Sequence, residues 1–240
     1  MSAALDVCVL FEDADIVVVV KPPGVPSQAD KTGDADMTVL LKNRAEAVGL
    51  SAVNGAADYF VVHRLDRTVG GVMVYAKTEK AAAVLSAGLA RQAGEDGKGG
   101  AVKEYLAVAV GELPERGVLT DWLLKNERLN VSKVVPKNTP RAKEAVLSFE
   151  RLAQTETDDG VLSLARIALE TGRHHQIRVQ MANAGAPLWG DTKYNPVFAR
   201  RRGGFPALWA ERLTFTHPQT GEAMVFHCSP SREPFRLFRK

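Results

Sequence analysis

The residues between positions 63 and 67 carry side chains suited to acid–base or nucleophilic chemistry. They are His63, Arg64, Asp66 and Arg67, and a Gly70-Gly71 pair follows. Cations within about 4–6 Å favour the ionised form of a carboxylate, so Asp66 is expected to be an anion. The glycines allow the backbone to approach a ligand closely or to adopt a positive φ angle. A turn that bears only a surface ion pair is the alternative interpretation.

Two later segments add further polar side chains. Tyr105 lies near the start of a predicted strand, where a tyrosine most often packs with its hydroxyl in water. His174, His175 and Arg178 follow within one segment of eight residues from 171 to 178. The adjacent histidines suggest zinc, but the i, i+4 spacing of a histidine pair and neighbouring cysteines are both missing. No metal site is therefore predicted.

The composition limits the class of protein. The 240 residues are 45% hydrophobic and 25% charged, which is enough for a buried core. No apolar run approaches the ~18 residues of a membrane span, and the first residues lack the features of a signal peptide. We therefore expect a soluble cytoplasmic protein. Its two cysteines, Cys8 and Cys228, are expected to be reduced.

Charge is unevenly distributed along the chain. Residues 1–60 carry four basic and nine acidic side chains, whereas residues 195–240 carry eight and three. Residues 125–144 carry six basic and two acidic side chains. Such segments could neutralise the phosphates of a nucleic acid, although basic runs are also common on solvated surfaces.

Hydrophobic patterning predicts the elements that must position these residues. The predicted strands are Val7–Phe11, Ile16–Val20, Lys103–Gly111, Val146–Leu152 and Val161–Leu169. Helices are predicted over 38–48 with Thr38 as cap, over 78–91, and around Ile177 and Met181 with an end at Gly185. Residues 125–143 are predicted to form an exposed loop or edge hairpin, and residues 94–100 a glycine-rich loop.

Three segments match, in the same order, the motifs of a known family. His63–Asp66 reads H-R-L-D, Lys103–Gly111 reads K-x-Y-x-A-x-x-x-G, and residues 171–178 read T-G-R-x-H-Q-I-R, with G-D-x-x-Y following at 190–194. Lys21–Gly24 also matches a Lys-Pro-x-Gly element near the start of that family's pattern. The chain therefore resembles the RluA-type pseudouridine synthases over nearly its whole length.

The resemblance implies the fold and the domain organisation. The expected fold is α+β, the pseudouridine synthase fold, with a mixed, largely antiparallel central sheet flanked by helices and a central catalytic cleft. Residues 1–240 are expected to form a single catalytic domain, without the N-terminal S4 RNA-binding domain that some relatives carry. The chain departs from the family pattern at Val69 and Gly70, where the family has Thr-Ser, and at Trp209, where it commonly has His.

The resemblance also implies a reaction. The protein would be an RNA pseudouridine synthase, an isomerase that converts uridine in structured rRNA or tRNA to pseudouridine without a cofactor. Asp66 would be the catalytic carboxylate, acting as nucleophile or as base. Arg178 would pair with Asp66, and Tyr105 would stack on the base and assist removal of the C5 proton. A monomer is expected.

The target base must leave its helix before a side chain can reach the glycosidic bond, at a cost of a few kcal/mol. By resemblance, Arg64 assists this flipping. The remaining residues expected to bind RNA are His63, Arg67, Lys21, Arg173 and His175. A partner for Asp66 is the alternative role of Arg64, and a solvated side chain beside a turn is the alternative for Lys21.

Two other functions fit some of the same residues. A catalytically inactive RNA-binding member of the family would not need Asp66, Tyr105 and Arg178 together, and all three are present. An unrelated hydrolase with an aspartate nucleophile would normally show a metal site or a second acid. Neither is recognisable in the sequence.

Overall fold

The computed structural model describes residues 7–49, 58–91, 100–158, 160–201 and 204–239. The chain divides into two structural units. The first consists of Met1–Val102 and Ala210–Cys228, and the second of Lys103–Trp209 and Ser229–Lys240. Nearly all of the predicted loop at 94–100 lies outside the described residues.

Eleven strands and three α-helices form within the described residues. In chain order the strands are β1 (Cys8–Glu12), β2 (Ile16–Lys21), β3 (Phe60–Val61), β4 (Gly70–Ala76), β5 (Val102–Val110), β6 (Arg116–Asn126), β7 (Val131–Val135), β8 (Lys143–Thr157), β9 (Gly160–Leu169), β10 (Leu208–Thr216) and β11 (Ala223–His227). The helices are α1 (Met37–Ala47), α2 (Glu79–Ala90) and α3 (Gln176–Asn183), and a 3-10 helix covers Phe235–Phe238.

Valine-rich strands and the two helices α1 and α2 build the first unit. Its strands lie in the order β1-β2-β4-β10, with β3 also paired to β4 and β11 to β10. The β1–β2, β2–β4, β3–β4 and β10–β11 pairs are antiparallel. Leu85 and Leu89 of α2 belong to the same buried cluster as Val18 of β2 and Val74 of β4. Burial of these apolar side chains holds the helix on the sheet.

Side chains that precede the helix cap both helices of the first unit. Thr78 caps α2, and its Oγ1 accepts a hydrogen bond from the Ala81 N–H at 3.1 Å. The predicted cap of α1 was wrong. Asp36 caps that helix, because its Oδ1 accepts from the N–H groups of Thr38 at 2.7 Å and Val39 at 3.4 Å.

An antiparallel sheet in the order β5-β9-β8-β6-β7 builds the second unit. The paired strands β6 and β7 form a hairpin whose second strand lies within the segment predicted as a loop or edge hairpin, and β8 pairs with β9 as far as Thr157 and Gly160. Helix α3 packs on the sheet through Val179, which forms a buried cluster with Leu123 and Ala145. This packing determines where the polar residues of the segment 171–178 lie.

The α+β class and the largely antiparallel strand arrangement predicted for this chain are confirmed. Among the described residues, no helix has the length and apolar character needed to cross a membrane. The single catalytic domain over residues 1–240 stays a prediction.

Candidate active site

Asp66 lies partly buried in the loop that connects β3 to β4. Its carbonyl accepts a hydrogen bond from the Val69 N–H at 2.9 Å, so residues 66–69 form a turn. Ser27 Oγ donates to the Leu65 carbonyl at 2.9 Å and accepts from the Leu65 N–H at 3.2 Å. On the other side, the Gly24 N–H donates to the Arg67 carbonyl at 2.8 Å. The segment 24–27 therefore holds both neighbours of Asp66.

Lys21, the last residue of β2, is fully buried next to the segment 24–27. Its Nζ donates to the carbonyl oxygens of Pro22 at 3.0 Å, Val25 at 2.7 Å and Arg67 at 3.1 Å. An ammonium group has three donors, so these carbonyls use its full donor capacity. Burial lowers the pKa of Lys21 to about 7, the Asp66 carboxylate opposes this change and Arg67 adds to it. The predicted RNA phosphate contact of Lys21 conflicts with this buried position.

Arg67 binds the loop that precedes α1. Its Nε donates to the Gly24 carbonyl at 2.8 Å, its Nη1 donates to Thr32 Oγ1 at 2.8 Å, and its Nη2 forms an ion pair with Asp34. A second acidic partner, Asp30, lies 3.6 Å from Nη1. The guanidinium thus joins two polar loops, and it remains partly exposed.

His63 and Arg64 precede the turn and have different surroundings. His63 Nε2 accepts a hydrogen bond from the Val74 N–H of β4 at 3.1 Å, which places the proton of a neutral ring on Nδ1. Arg64 is exposed, and no hydrogen bond or ion pair joins it to another described residue. Its alternative role as the partner of Asp66 is not seen among the described residues and stays a prediction.

Gly71 adopts a positive φ angle, which was one of the two roles predicted for the glycine pair. Its φ is +127°, and a Cβ built on it would lie 2.2 Å from the Ala210 carbonyl oxygen of β10. The close approach is between two strands of the first unit. Glycine at this position lets β4 begin directly after the Asp66 turn.

In the second unit, Tyr105 and Arg178 are both buried. Tyr105 lies in β5 opposite Ile167 of β9. Arg178, in α3, is 3% exposed and forms a two-pronged ion pair with Asp191, which is fully buried. Nε donates to Oδ2 at 2.7 Å and Nη2 donates to Oδ1 at 2.8 Å. The pairing of Arg178 with Asp66 stays a prediction.

His175 directly precedes α3 and has a left-handed conformation, with φ 55° and ψ 25°. Its Nδ1 lies 2.8 Å from the Tyr194 hydroxyl, which also accepts a hydrogen bond from the Ser132 N–H at 2.7 Å. Burial and the nearby Arg178 guanidinium lower the pKa of His175 to about 2, and His174 adds to this effect. His175 is therefore neutral at physiological pH, and its predicted contact with RNA stays a prediction.

His174 and Arg173 are more accessible than His175. His174 stacks on His175 with ring centroids 3.8 Å apart, and its Nδ1 lies 2.9 Å from Ser132 Oγ of β7. Arg173 is exposed and its Nε donates to the Glu144 carbonyl at 2.8 Å. These contacts join the start of α3 to the neighbouring strands β7 and β8.

Three residues that shape these surroundings were not assigned a role from the sequence. Ser27 lies 38 positions from the Leu65 main chain it binds, so no local pattern identifies it. Asp191 and Tyr194 belong to the G-D-x-x-Y segment, which was noted only as part of a motif. The sequence signal for both residues was the spacing of acidic Asp191 three positions before aromatic Tyr194. Within the described ranges, no group of three or more His, Cys, Asp or Glu side chains is placed to hold a metal ion.

Comparison with known proteins gives one consistent family. Residues 15–183 match the family described as RNA pseudouridylate synthase. The chain is 32% identical over 237 residues to ribosomal large subunit pseudouridine synthase D of Vibrio cholerae, a match that covers 91% of this chain and 66% of that one. It is 29% identical over 243 residues to tRNA pseudouridine synthase C of Vibrio parahaemolyticus, covering 95% of this chain and 92% of that one.

A solved structure supports the fold. Human RNA pseudouridylate synthase domain containing 1 superposes with a TM-score of 0.73 over 96% of this chain and 86% of the human chain. The sequence identity of that pair is 19%, so the likeness concerns the fold alone.

Proposed function

The chain belongs to the RNA pseudouridylate synthase family, and on that premise we propose that it isomerises specific uridines of structured RNA in a reaction that begins at Asp66. The protein is an RNA pseudouridine synthase. The reaction breaks the N1–C1′ bond, rotates the detached uracil and joins C5 to C1′. The proton leaves C5 and a proton is bound at N1, so that substrate and product are isomers.

The observation that carries the proposal is the way in which the neighbours of Asp66 are held. Ser27 binds the Leu65 main chain, and Lys21 binds the Arg67 carbonyl from below. A carboxylate that acts at the ribose must be fixed within a fraction of an ångström of its productive position. Contacts on both sides of Asp66 meet that requirement, whereas a turn with only a surface ion pair would not need them.

Arg178 and Tyr105 complete the proposed catalytic residues. By family resemblance, the Arg178 guanidinium pairs with the Asp66 carboxylate and keeps it ionised. The Tyr105 ring stacks on the target base and its hydroxyl assists removal of the C5 proton. Both side chains are buried, which suits groups that act in a water-excluded site.

The exposed cations are proposed to bind the RNA. Arg64 is accessible and has no partner among the described residues, so it can occupy the space left by a flipped base. Arg173, Arg67 and His63 contact the RNA near the target. For Lys21 and His175 we propose a different role from the RNA contact predicted from the sequence. Lys21 supports the Asp66 turn, and His175 supports Tyr194.

The proposed substrate is structured rRNA or tRNA, because relatives named for each of these classes match most of the chain. The family match at residues 15–183 includes parts of both structural units. This supports the proposal that residues 1–240 act as one catalytic domain. All proposed catalytic residues come from a single chain, so a monomer would be sufficient.

The test of this function is a pseudouridine map of total RNA from cells that contain the protein, cells that lack it, and cells that contain Asp66→Asn. We expect at least one pseudouridine to be missing from both the second and the third sample. Purified Asp66→Asn is then compared with wild type in a thermal melt, an RNA-binding titration and a pseudouridine assay on a transcript that contains the mapped uridine.

Because asparagine has nearly the size of aspartate but no charge, folding and RNA affinity should be close to wild type and product should be absent. A well-folded Asp66→Asn enzyme that forms pseudouridine, after deamidation is excluded by mass spectrometry, would overturn the assignment of Asp66. Three identical maps would favour the inactive RNA-binding protein.

A further inference from the structure

We infer that Asp191 is a positioning residue for the isomerisation, because its carboxylate sets the orientation of the Arg178 guanidinium. The inference rests on the proposed catalytic role of Arg178. It concerns a residue that does not itself have to touch RNA, and it explains why an aspartate lies fully buried beside α3.

The two side chains meet edge to edge. Nε and Nη2 of Arg178 donate to Oδ2 and Oδ1 of Asp191 at 2.7 and 2.8 Å. A two-pronged pair of this kind fixes the plane of the guanidinium as well as its position. Asp191 uses two of the five N–H donors of Arg178, and the other three lie on the remaining edges of the group. Their direction is therefore determined by Asp191.

Asp191 can act as a fixed reference because its own carboxylate is held by the main chain. Oδ1 accepts from the N–H groups of Lys193 at 2.9 Å and Tyr194 at 3.2 Å. The Asp191 carbonyl accepts from the Asn195 N–H at 3.0 Å, which closes the same turn. A mobile carboxylate would move with the arginine. The Asp191 carboxylate is held by the main chain and therefore restrains the Arg178 guanidinium.

Tyr194 adds a second restraint, on the face of the guanidinium. Its ring centroid lies 5.2 Å from Arg178 Cζ, within cation–π range. The Tyr194 hydroxyl accepts from the Ser132 N–H at 2.7 Å and lies 2.8 Å from His175 Nδ1. Arg178 is thus held at one edge by Asp191 and on one face by Tyr194.

The test is Asp191→Asn. The asparagine Oδ1 can still accept from the Lys193 and Tyr194 N–H groups, so the turn is retained. The amide NH₂ that replaces Oδ2 faces the Arg178 Nε–H, so two donors meet and the guanidinium must turn. A displacement of about 1 Å near the chemistry can cost on the order of 10²-fold in rate. We therefore expect kcat to fall about 10- to 100-fold with the KM for RNA little changed.

Asp13→Asn is the control, because Asp13 likewise accepts two main-chain N–H groups on Oδ1 and has a basic partner on Oδ2. Asp13 Oδ1 accepts from the N–H groups of Asp15 and Ile16, both at 2.8 Å, and Oδ2 lies 2.8 Å from His217 Nε2. Asp13→Asn should lower the melting temperature and leave kcat of the folded enzyme unchanged. A fall in kcat that merely follows destabilisation would appear in both variants.

A double-mutant cycle with Arg178→Lys separates positioning from a general structural role. If Asp191 acts through Arg178, the double variant should have the kcat of Arg178→Lys alone, whereas a structural role would multiply the two losses. Wild-type kcat in Asp191→Asn beside an impaired Arg178→Lys would overturn this inference only. Wild-type kcat in Arg178→Lys would overturn the proposed role of Arg178.

A second variant, Asp191→Glu, is used if Asp191→Asn does not fold, because it keeps the charge and moves the carboxylate. Its kcat should fall, and a wild-type value would again reject the inference.

Discussion

Lys21 Nζ donates a hydrogen bond to the Arg67 carbonyl at 3.1 Å, across 46 positions of sequence. The bond joins the end of β2 to the residue directly after Asp66, and it places a titratable group under the proposed catalytic turn. A buried charge in this position links the stability of the fold to pH.

The first prediction concerns this link. The unfolded chain keeps the Lys21 proton up to its ordinary pKa of 10.5, whereas the folded chain releases it near pH 7. Between these values the unfolded state binds more protons, so the free energy of unfolding should rise with pH, by at most about 1.4 kcal/mol per pH unit. Urea unfolding at pH 6.5, 7.5 and 8.5 measures this slope.

Lys21→Met should lack the slope and should also be less stable, because the carbonyls of Pro22, Val25 and Arg67 lose the ammonium donor. Lys42→Met is the control, since Lys42 is exposed and pairs with Asp58 on the surface. The control should follow the wild-type curve. Parallel curves for wild type and Lys21→Met would show that Lys21 does not titrate in this range.

The second prediction concerns Gly71. An alanine there would combine a φ of +127° with a Cβ 2.2 Å from the Ala210 carbonyl oxygen. The backbone strain alone costs about 1–3 kcal/mol, and the contact adds to it. Gly71→Ala should therefore unfold at a lower urea concentration than wild type.

Gly88→Ala is the matched control for this substitution. Gly88 lies in α2 with nothing within 4 Å of its added Cβ, so alanine should stabilise the helix by up to about 1 kcal/mol. Equal stability of Gly71→Ala and wild type would mean that β4 and β10 can separate without cost.

The third prediction separates two roles of Tyr105. Tyr105→Phe keeps the ring and should retain RNA binding, whereas Tyr105→Leu should lose stacking and turnover. Single-turnover pseudouridine formation with each variant provides the measurement. Full activity in Tyr105→Phe beside an inactive Tyr105→Leu would assign the ring as a stacking surface and exclude the hydroxyl as base. Full activity in both variants would remove Tyr105 from the site.

The fourth prediction concerns two basic residues, Lys133 in β7 and Lys137 shortly after that strand. Lys133 and Lys137 are exposed, and Lys137 Nζ lies 5.5 Å from the centroid of the Trp122 ring. RNA affinity should fall as salt rises, because phosphate contacts release counterions. Replacing both lysines by alanine should reduce the slope of log K against log salt by about 0.7 for each lost contact.

Lys31→Ala with Lys42→Ala, in the acidic first 60 residues, is the control pair and should leave the slope unchanged. If the slope of log K against log salt is unchanged when Lys133 and Lys137 are replaced, these two residues are not part of the RNA footprint. The basic residues Arg200 and Arg201 would then be tested in the same way.

The sequence by itself determined the family, the reaction class and most of the elements. The valine run at 16–20 predicted β2, because β-branched side chains fit a buried strand and few other structures. The basic, proline-containing segment 125–143 was predicted as an exposed loop or edge hairpin, and β7 lies within it. The order of the three motifs identified the family from the sequence alone.

Only the tertiary structure decided what several of the motif residues do. The sequence predicts an exposed Lys21 beside a proline turn, yet Lys21 is buried, and one of its three carbonyl acceptors, Arg67, is 46 positions away. The sequence predicts that His175 contacts RNA, whereas the structure shows a buried imidazole with a lowered pKa. The described ion pair of Arg178 is with Asp191, which comes after the end of α3. Burial and charge pairing depend on segments far apart in sequence, so local patterns specify the residue types and the assembled chain specifies their partners.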